Sequence, residues 1–251
     1  MGVPAPMTTV EPRYRLAFGG HRSRYIDVEL SLPANPDGYR LSLPAWIPGS
    51  YLMRDFARHI VGKRAQDANG EPVSITPVDQ QTWDLAGSDH ELTVRYRVYC
   101  ADFSVRSAHA DSSHVFFNGT SVFLRVHGAE HARHEVALAG EGLPADWRVA
   151  TTLPDIAVDE RGFGEYAATD YEALIDHPVE MADFVERRFT AGGVLHRMVF
   201  TAALPETDFD RIAADVAQIC ETEIELFDGA PFDEYLFLVA LDESGFGGLA
   251  H

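Results

Sequence analysis

The sequence predicts a mainly β chain. A β-sandwich or saddle-like sheet domain is expected over roughly residues 13–204, followed by the opening helix and strand of an α/β or α+β domain. Three observations carry this. Short runs alternate apolar and polar residues with a period of two, as strands with one buried face do. Turn dipeptides separate those runs at strand-like spacing. After Thr207 the apolar period becomes helical.

Residues 1–12 carry three prolines and no periodic pattern, so they are expected to be a loose tail. Ile26, Val28, Leu30 and Leu32 then alternate with polar neighbours, as do Tyr39, Leu41 and Leu43. Leu92, Val94, Tyr96 and Val98 give the clearest strand. Asn69-Gly70 and Asn118-Gly119 are hairpin signals, because these residues tolerate the positive φ of a tight turn. Val122–Val126 reads as a further strand, and Asp170 as the cap of a short helical turn ended by Pro178. Ala191-Gly192-Gly193 joins Val185–Phe189 to Val194–Ala202 as a hairpin. From Thr207, a candidate N-cap with Asp210 near the capping-box position, the residues Phe209, Ile212, Ala213, Val216, Ile219, Cys220, Ile224 and Phe227 form one helical stripe. Gly229 and Pro231 end that helix, and Tyr235–Leu241 is a short apolar strand. No internal repeat or low-complexity segment interrupts the order.

The chain has 251 residues and a formal net charge of −19, which repels phosphate backbones and argues against nucleic acid as a partner. No apolar run reaches the length of a membrane span, and the first residues lack the basic and apolar regions of a signal peptide. Cys100 and Cys220 are far apart and expected to be free thiols, which fits a reducing cytoplasm.

The end of the chain is the most informative stretch. After the strand at 235–241, Gly245, Gly247 and Gly248 arrive within four positions. A strand that becomes a side-chain-poor edge suits pairing with an extended peptide. Phe246-Gly247-Gly248-Leu249-Ala250-His251 resembles the GGLEH segment of the M61 metallopeptidases, the glycyl aminopeptidases. Trp46–Tyr51 (WIPGSY), Phe116–Leu124 (FFNGTSVFL) and Asp170–Met181 (DYEALIDHPVEM) resemble other stretches of that family, in the same order. The resemblance covers nearly the whole chain after the first dozen residues. It implies that residues 205–251 begin a thermolysin-like α+β catalytic domain. It also implies that the intact protein is a zinc aminopeptidase removing N-terminal residues, glycine among them, from a peptide substrate. By the same resemblance Gly247, Gly248, Leu249 and Ala250 are the expected substrate-binding edge, and Asn118 a candidate at the active-site rim. Where the family segment has glutamate this chain has Ala250.

The zinc chemistry of such an enzyme needs a His-Glu-x-x-His helix, whose two histidines bind the ion while the glutamate activates water. His90-Glu91 and His134-Glu135 are followed by Val94 and Leu138 where the second histidine is required, so the motif is absent from this chain. In the family it lies downstream of the GGLEH segment. His127-Gly128-Ala129-Glu130-His131 matches the inverted motif His-x-x-Glu-His, but Gly128 and the strand before it oppose a helix there. These histidines, with His134, are expected on a solvated loop. His177 and Glu180 are expected at a structural junction, Trp46–Tyr51 at a packed aromatic corner, and Arg54, Asp55, Arg58 and His59 on a charged surface. The chain as written is therefore expected to bind no cofactor and to hydrolyse no peptide alone. The alternative is a non-catalytic β-sandwich interaction module.

Overall fold

The computed structural model describes residues 10–202, 206–241 and 247–250. Most of the expected tail at 1–12 lies outside the described residues, as do residues 203–205 at the expected domain boundary, Gly245, Phe246 and His251.

The architecture is mainly β, in several sheets. The largest has eight strands in the order 155–158, 164–168, 134–139, 13–17, 25–32, 92–99, 60–67 and 72–73. Alternation builds it. Ile26, Val28, Leu30 and Leu32 lie opposite Val98, Tyr96, Val94 and Leu92, and all eight are buried. Two four-stranded sheets complete the same core. One runs in the order 125–126, 39–42, 82–85 and 75–77. The other runs 148–150, 179–182, 114–117 and 108–110. Leu41, Trp83 and Leu85 of the first, and Val115, Phe117, Val179 and Met181 of the second, join the eight-stranded sheet in one continuous cluster. Gly70, at φ 82°, turns the hairpin at Asn69-Gly70 as expected.

A three-stranded sheet, 185–191, 194–201 and 234–240, stands apart from these. Gly192 and Gly193, at φ 56° and 80°, close its hairpin between the paired residues Ala191 and Val194. Strand 234–240 adds in parallel to 194–201, from Leu195 opposite Glu234 to Thr201 opposite Ala240. The sheet therefore runs across residue 205, where the change of period placed a domain boundary. The period changes because a helix, Phe209–Leu226, is the crossover between two parallel strands of one sheet. Residues 185–201 share this sheet with the strand at 234–240 and also pack on the β-domain through Val199. The helix is capped by Asp208, which accepts from the Arg211 N–H at 3.0 Å, one residue after the expected Thr207. Phe209, Ile212, Ala213 and Val216 pack on Met198 and Phe200, while Ile219 and Phe227 of the same stripe are exposed. Among the described residues no helix is long and apolar enough to cross a membrane.

Three local expectations are corrected. Asn118-Gly119 is not a hairpin tip. Asn118 has φ −86°, is fully buried, and leads into a 3-10 turn at Gly119–Ser121. A Cβ on Gly119 would meet the Ile175 backbone at 2.6 Å, so glycine here permits close packing. Val122–Leu124 is not strand; only Arg125–Val126 pairs. The reason is shared: the hydroxyls of Tyr96, Tyr171 and Tyr14 donate to the carbonyls of Val122, Phe123 and Leu124 at 2.8, 2.8 and 2.6 Å, replacing a sheet ladder. His134 is not on a solvated loop. It is buried in strand 134–139, stacked against Tyr14.

Candidate functional site

Because side chains alternate along a strand, the sheet that sends Val115, Phe117, Val179 and Met181 into the core turns His114, Phe116, Glu180 and Ala182 the other way. His109 pairs with Phe116 and Phe116 with Glu180, so the three stand in a row. The three-stranded sheet covers part of this face. Ala182 and Ala150 pack with Phe184 and Val199, and the Thr201 hydroxyl donates to Glu180 at 2.9 Å. Beyond that contact the face opens into a cavity of about 840 Å³. Its other walls are strand 234–240, loop 103–106, Asp176–Pro178, and the segment at 247–250.

The expected site residues separate here. Gly247, Leu249 and Ala250 line the cavity. Gly248 accepts from Arg106 Nη2 through its carbonyl at 3.3 Å. The expected edge strand is not formed: residues 247–250 have no ladder partner, and space is open around both glycines. Leu249 packs on the main core and meets Gly49 of the WIPGSY corner, whose added Cβ would lie 2.6 Å from it. That corner is only half packed. Ile47 and Ser50 are buried, but Tyr51, Leu52 and Met53 are exposed. Asn118 does not reach the cavity. Its Nδ2 donates to the Val105 carbonyl at 2.6 Å, so it holds the loop that forms one wall. Asp170 caps the short helix 171–175 as expected, accepting from Ala173 N–H at 2.8 Å.

The sequence reading did not single out a polar group that reaches the cavity wall through His109 and His114. His109 and His114 sit on a hairpin whose turn is Asp111-Ser112-Ser113. They are diagonal neighbours, and their rings stack at 4.7 Å with Phe103 edge-on to both. Asp111 Oδ2 accepts from His109 Nε2 at 3.0 Å, and Oδ1 from the Ser113 hydroxyl at 2.6 Å. With its proton committed, the Ser113 oxygen accepts from His114 Nδ1 at 3.0 Å. On this network each imidazole carries its proton on the bonded nitrogen. His109 Nδ1 and His114 Nε2 are then lone-pair nitrogens, buried, with no hydrogen-bond partner among the described residues. Burial pushes His114 down to about 4, with His109 adding and Asp111 opposing, so its ring is neutral near pH 7. Burial alone would raise Asp111, but the Ser113 hydroxyl and N–H, the His109 ring and the His114 N–H hold its carboxyl well below the usual range. Glu180 goes the other way. Burial pushes it up to about 8, the Thr201 hydroxyl opposing and the Asp111 charge adding. His-x-Asp-x-x-His around a turn was the available signal, since a hairpin brings such positions together.

The zinc implied by the resemblance has no fit here to its His-Glu-x-x-His pair. His134 Nδ1 bonds the Ala132 carbonyl inside a strand, and Glu91 pairs with Arg13 at the surface. Of the inverted motif, His127 bonds Ser42, and Gly128, at φ 86°, turns the chain.

The chain is similar in structure to an aminopeptidase N family protein from Idiomarina loihiensis, with a TM-score of 0.89 and 39% identity over 96% of this chain and 40% of that one. It shares its fold with yeast LTA4 hydrolase at a TM-score of 0.50, with 11% identity over 96% of this chain and 39% of that one. The chain thus spans about two-fifths of either structure's length. No curated protein sequence matches it. The model of the peptidase M61 N-terminal domain matches residues 13–183, more than half of the chain and up to the junction before the three-stranded sheet. The chain belongs to the M61 peptidase family, whose N-terminal domain it carries.

Proposed function

We propose that this chain is the N-terminal portion of a metallo-aminopeptidase, and that its part is to build one side of a peptide cleft. The observation that carries the reading is the position of Gly247, Leu249 and Ala250 on the cavity wall. Open space around Gly247 and Gly248 lets an extended backbone approach, with main-chain hydrogen bonds as the recognition. Residues 247–250 are the proposed substrate-binding segment, and the β-domain and the sheet at 185–240 hold it. Asn118 acts indirectly, by fixing the loop at 103–106. Family membership and the similarity to an aminopeptidase N family protein support a free α-amino peptide as substrate; glycine among the removed residues rests on the resemblance of residues 246–251 to the glycyl aminopeptidases. Zinc chemistry would rest on a His-Glu-x-x-His helix, which these 251 residues do not contain. The proposed location is the cytoplasm, supported by the unpaired Cys100 and Cys220.

The test compares free-amine and N-acetylated peptides. An intact enzyme that includes this sequence is expected to cleave the first and spare the second, and the 251-residue chain alone to cleave neither. Equal cleavage of both by the intact enzyme overturns the reading.

A further inference from the structure

We propose that His109, Asp111 and His114 form a site for one divalent transition-metal ion of the zinc or cobalt kind, on the cavity wall. The site is made wholly of residues in this chain and rests on no part of the peptidase reading. It is also not the His-Glu-x-x-His helix of the family. It revises the expectation that the chain holds no ligand set.

Two imidazoles and a carboxylate are a donor set that borderline divalent ions favour over magnesium or calcium, which prefer oxygen. The residues are already assembled. One ligand atom from each of the three lies within 4.8 Å of the others, so an ion is bound by a small inward movement. The hairpin fixes the backbone of all three, and the Phe103 ring edges limit how the imidazoles turn. Each ring has one nitrogen more than its hydrogen bonds use. An ion takes His109 Nε2 and His114 Nδ1, the nitrogens that face Asp111 at 3.0 and 4.0 Å, and each ring moves its proton to the spare nitrogen. The Asp111 carboxylate supplies the negative charge that two imidazoles do not. Ser113, with its hydroxyl and N–H both on Asp111, orients the carboxylate from behind. Three protein ligands leave coordination positions for water or a ligand group facing the cavity.

The 251-residue chain, stripped with a chelator, is titrated with Co²⁺ and followed by its visible d–d absorption. Zn²⁺ is then used to displace it. One equivalent of Co²⁺ is expected to bind with a dissociation constant on the order of micromolar, and Zn²⁺ to bleach the bands. His109→Ala and His114→Ala are each expected to weaken binding roughly tenfold or more. A His127→Ala/His131→Ala double variant is expected to bind as the unsubstituted chain does. Asp111→Asn keeps the shape of the side chain and guards against misfolding in the histidine variants. It is expected to keep its native circular dichroism and to lose the rise in Tm that Zn²⁺ gives the unsubstituted chain. The proposal fails if the unsubstituted chain shows no saturable bands, if the bands survive in the His109→Ala/His114→Ala double variant, if they vanish in the 127/131 variant, or if Asp111→Asn keeps the full Tm response.

Discussion

At Glu180 the chain keeps a carboxyl group out of water with the Thr201 hydroxyl as its hydrogen-bond partner, and its proton affinity records the cost. Below pH about 4.5 the group is protonated folded and unfolded, so it adds no pH dependence. Between there and about 8 the unfolded chain releases the proton while the folded chain retains it, and stability falls. The loss reaches as much as about 5 kcal/mol by pH 8 and is constant above it. Glu180→Gln is expected to flatten this slope, read as urea midpoints from pH 5 to 9 with a chelator present. An unchanged slope would mean that the carboxyl is ionised when folded. Ala250 poses the complementary question, since the family segment has glutamate there while Glu180 and Glu234 line the same cavity. A carboxylate accepting from the substrate's α-amino group contributes about 1.5–3 kcal/mol, or roughly ten- to a hundred-and-fifty-fold. In the intact enzyme, Ala250→Glu is expected to raise kcat/KM for free-amine peptides and leave N-acetylated ones little changed. An equal response from both places Ala250 away from the amine.

Among the elements, the stretch Phe116–Leu124 shows tertiary contacts overriding a local signal. Three tyrosine hydroxyls from residues 14, 96 and 171 converge on three consecutive carbonyls. Tyr171→Phe leaves the buried Phe123 carbonyl without this donor and is expected to cost about 1–2 kcal/mol in urea unfolding. Faster amide exchange should be confined to residues near 119–124. A cost within error would mean that packing alone holds the segment. The same contacts explain what was legible beforehand. Alternation at 25–32 and 92–99, the glycine turns at 70 and 192–193, and the cap at Asp170 are written in neighbouring residues, and each appears where spacing puts it. Asn118-Gly119 carried as strong a turn signal, but its outcome depends on side chains far away in sequence. His109, Asp111 and His114 were not read from the sequence, although their spacing fits the two arms of a hairpin. What that spacing could not convey is that a second sheet, built from residues 185–240, would cover their face, bury Glu180 and leave a cavity beside them.

For the whole molecule, we propose that residues 185–240 form a second unit, because the strand at 194–201 pairs with the one at 234–240. The buried residues of the main core all lie between Tyr14 and Met181. The second unit buries little of its own, namely Met198, Phe200 and Ala213 between sheet and helix. It leans on the first through Ala150, Ala182, Phe184 and Val199. Arg197 ties its three strands, bonding Glu186 at 2.8 Å and Glu234 at 3.1 Å. A fragment of residues 10–183 therefore retains nearly all of the main core, whereas one of residues 10–204 adds a hairpin without its helix or third strand. That hairpin exposes Met198 and Phe200, which the helix covers in the complete chain. Exposed apolar strand of this kind promotes association. The 10–183 fragment is expected to be monomeric and to unfold in one cooperative urea transition. The 10–204 fragment is expected to bind a hydrophobic dye and to self-associate on a sizing column. If 10–204 is instead the better-behaved fragment, the hairpin 185–201 belongs to the β-domain, and the division lies near 205, where the change of hydrophobic period first put it.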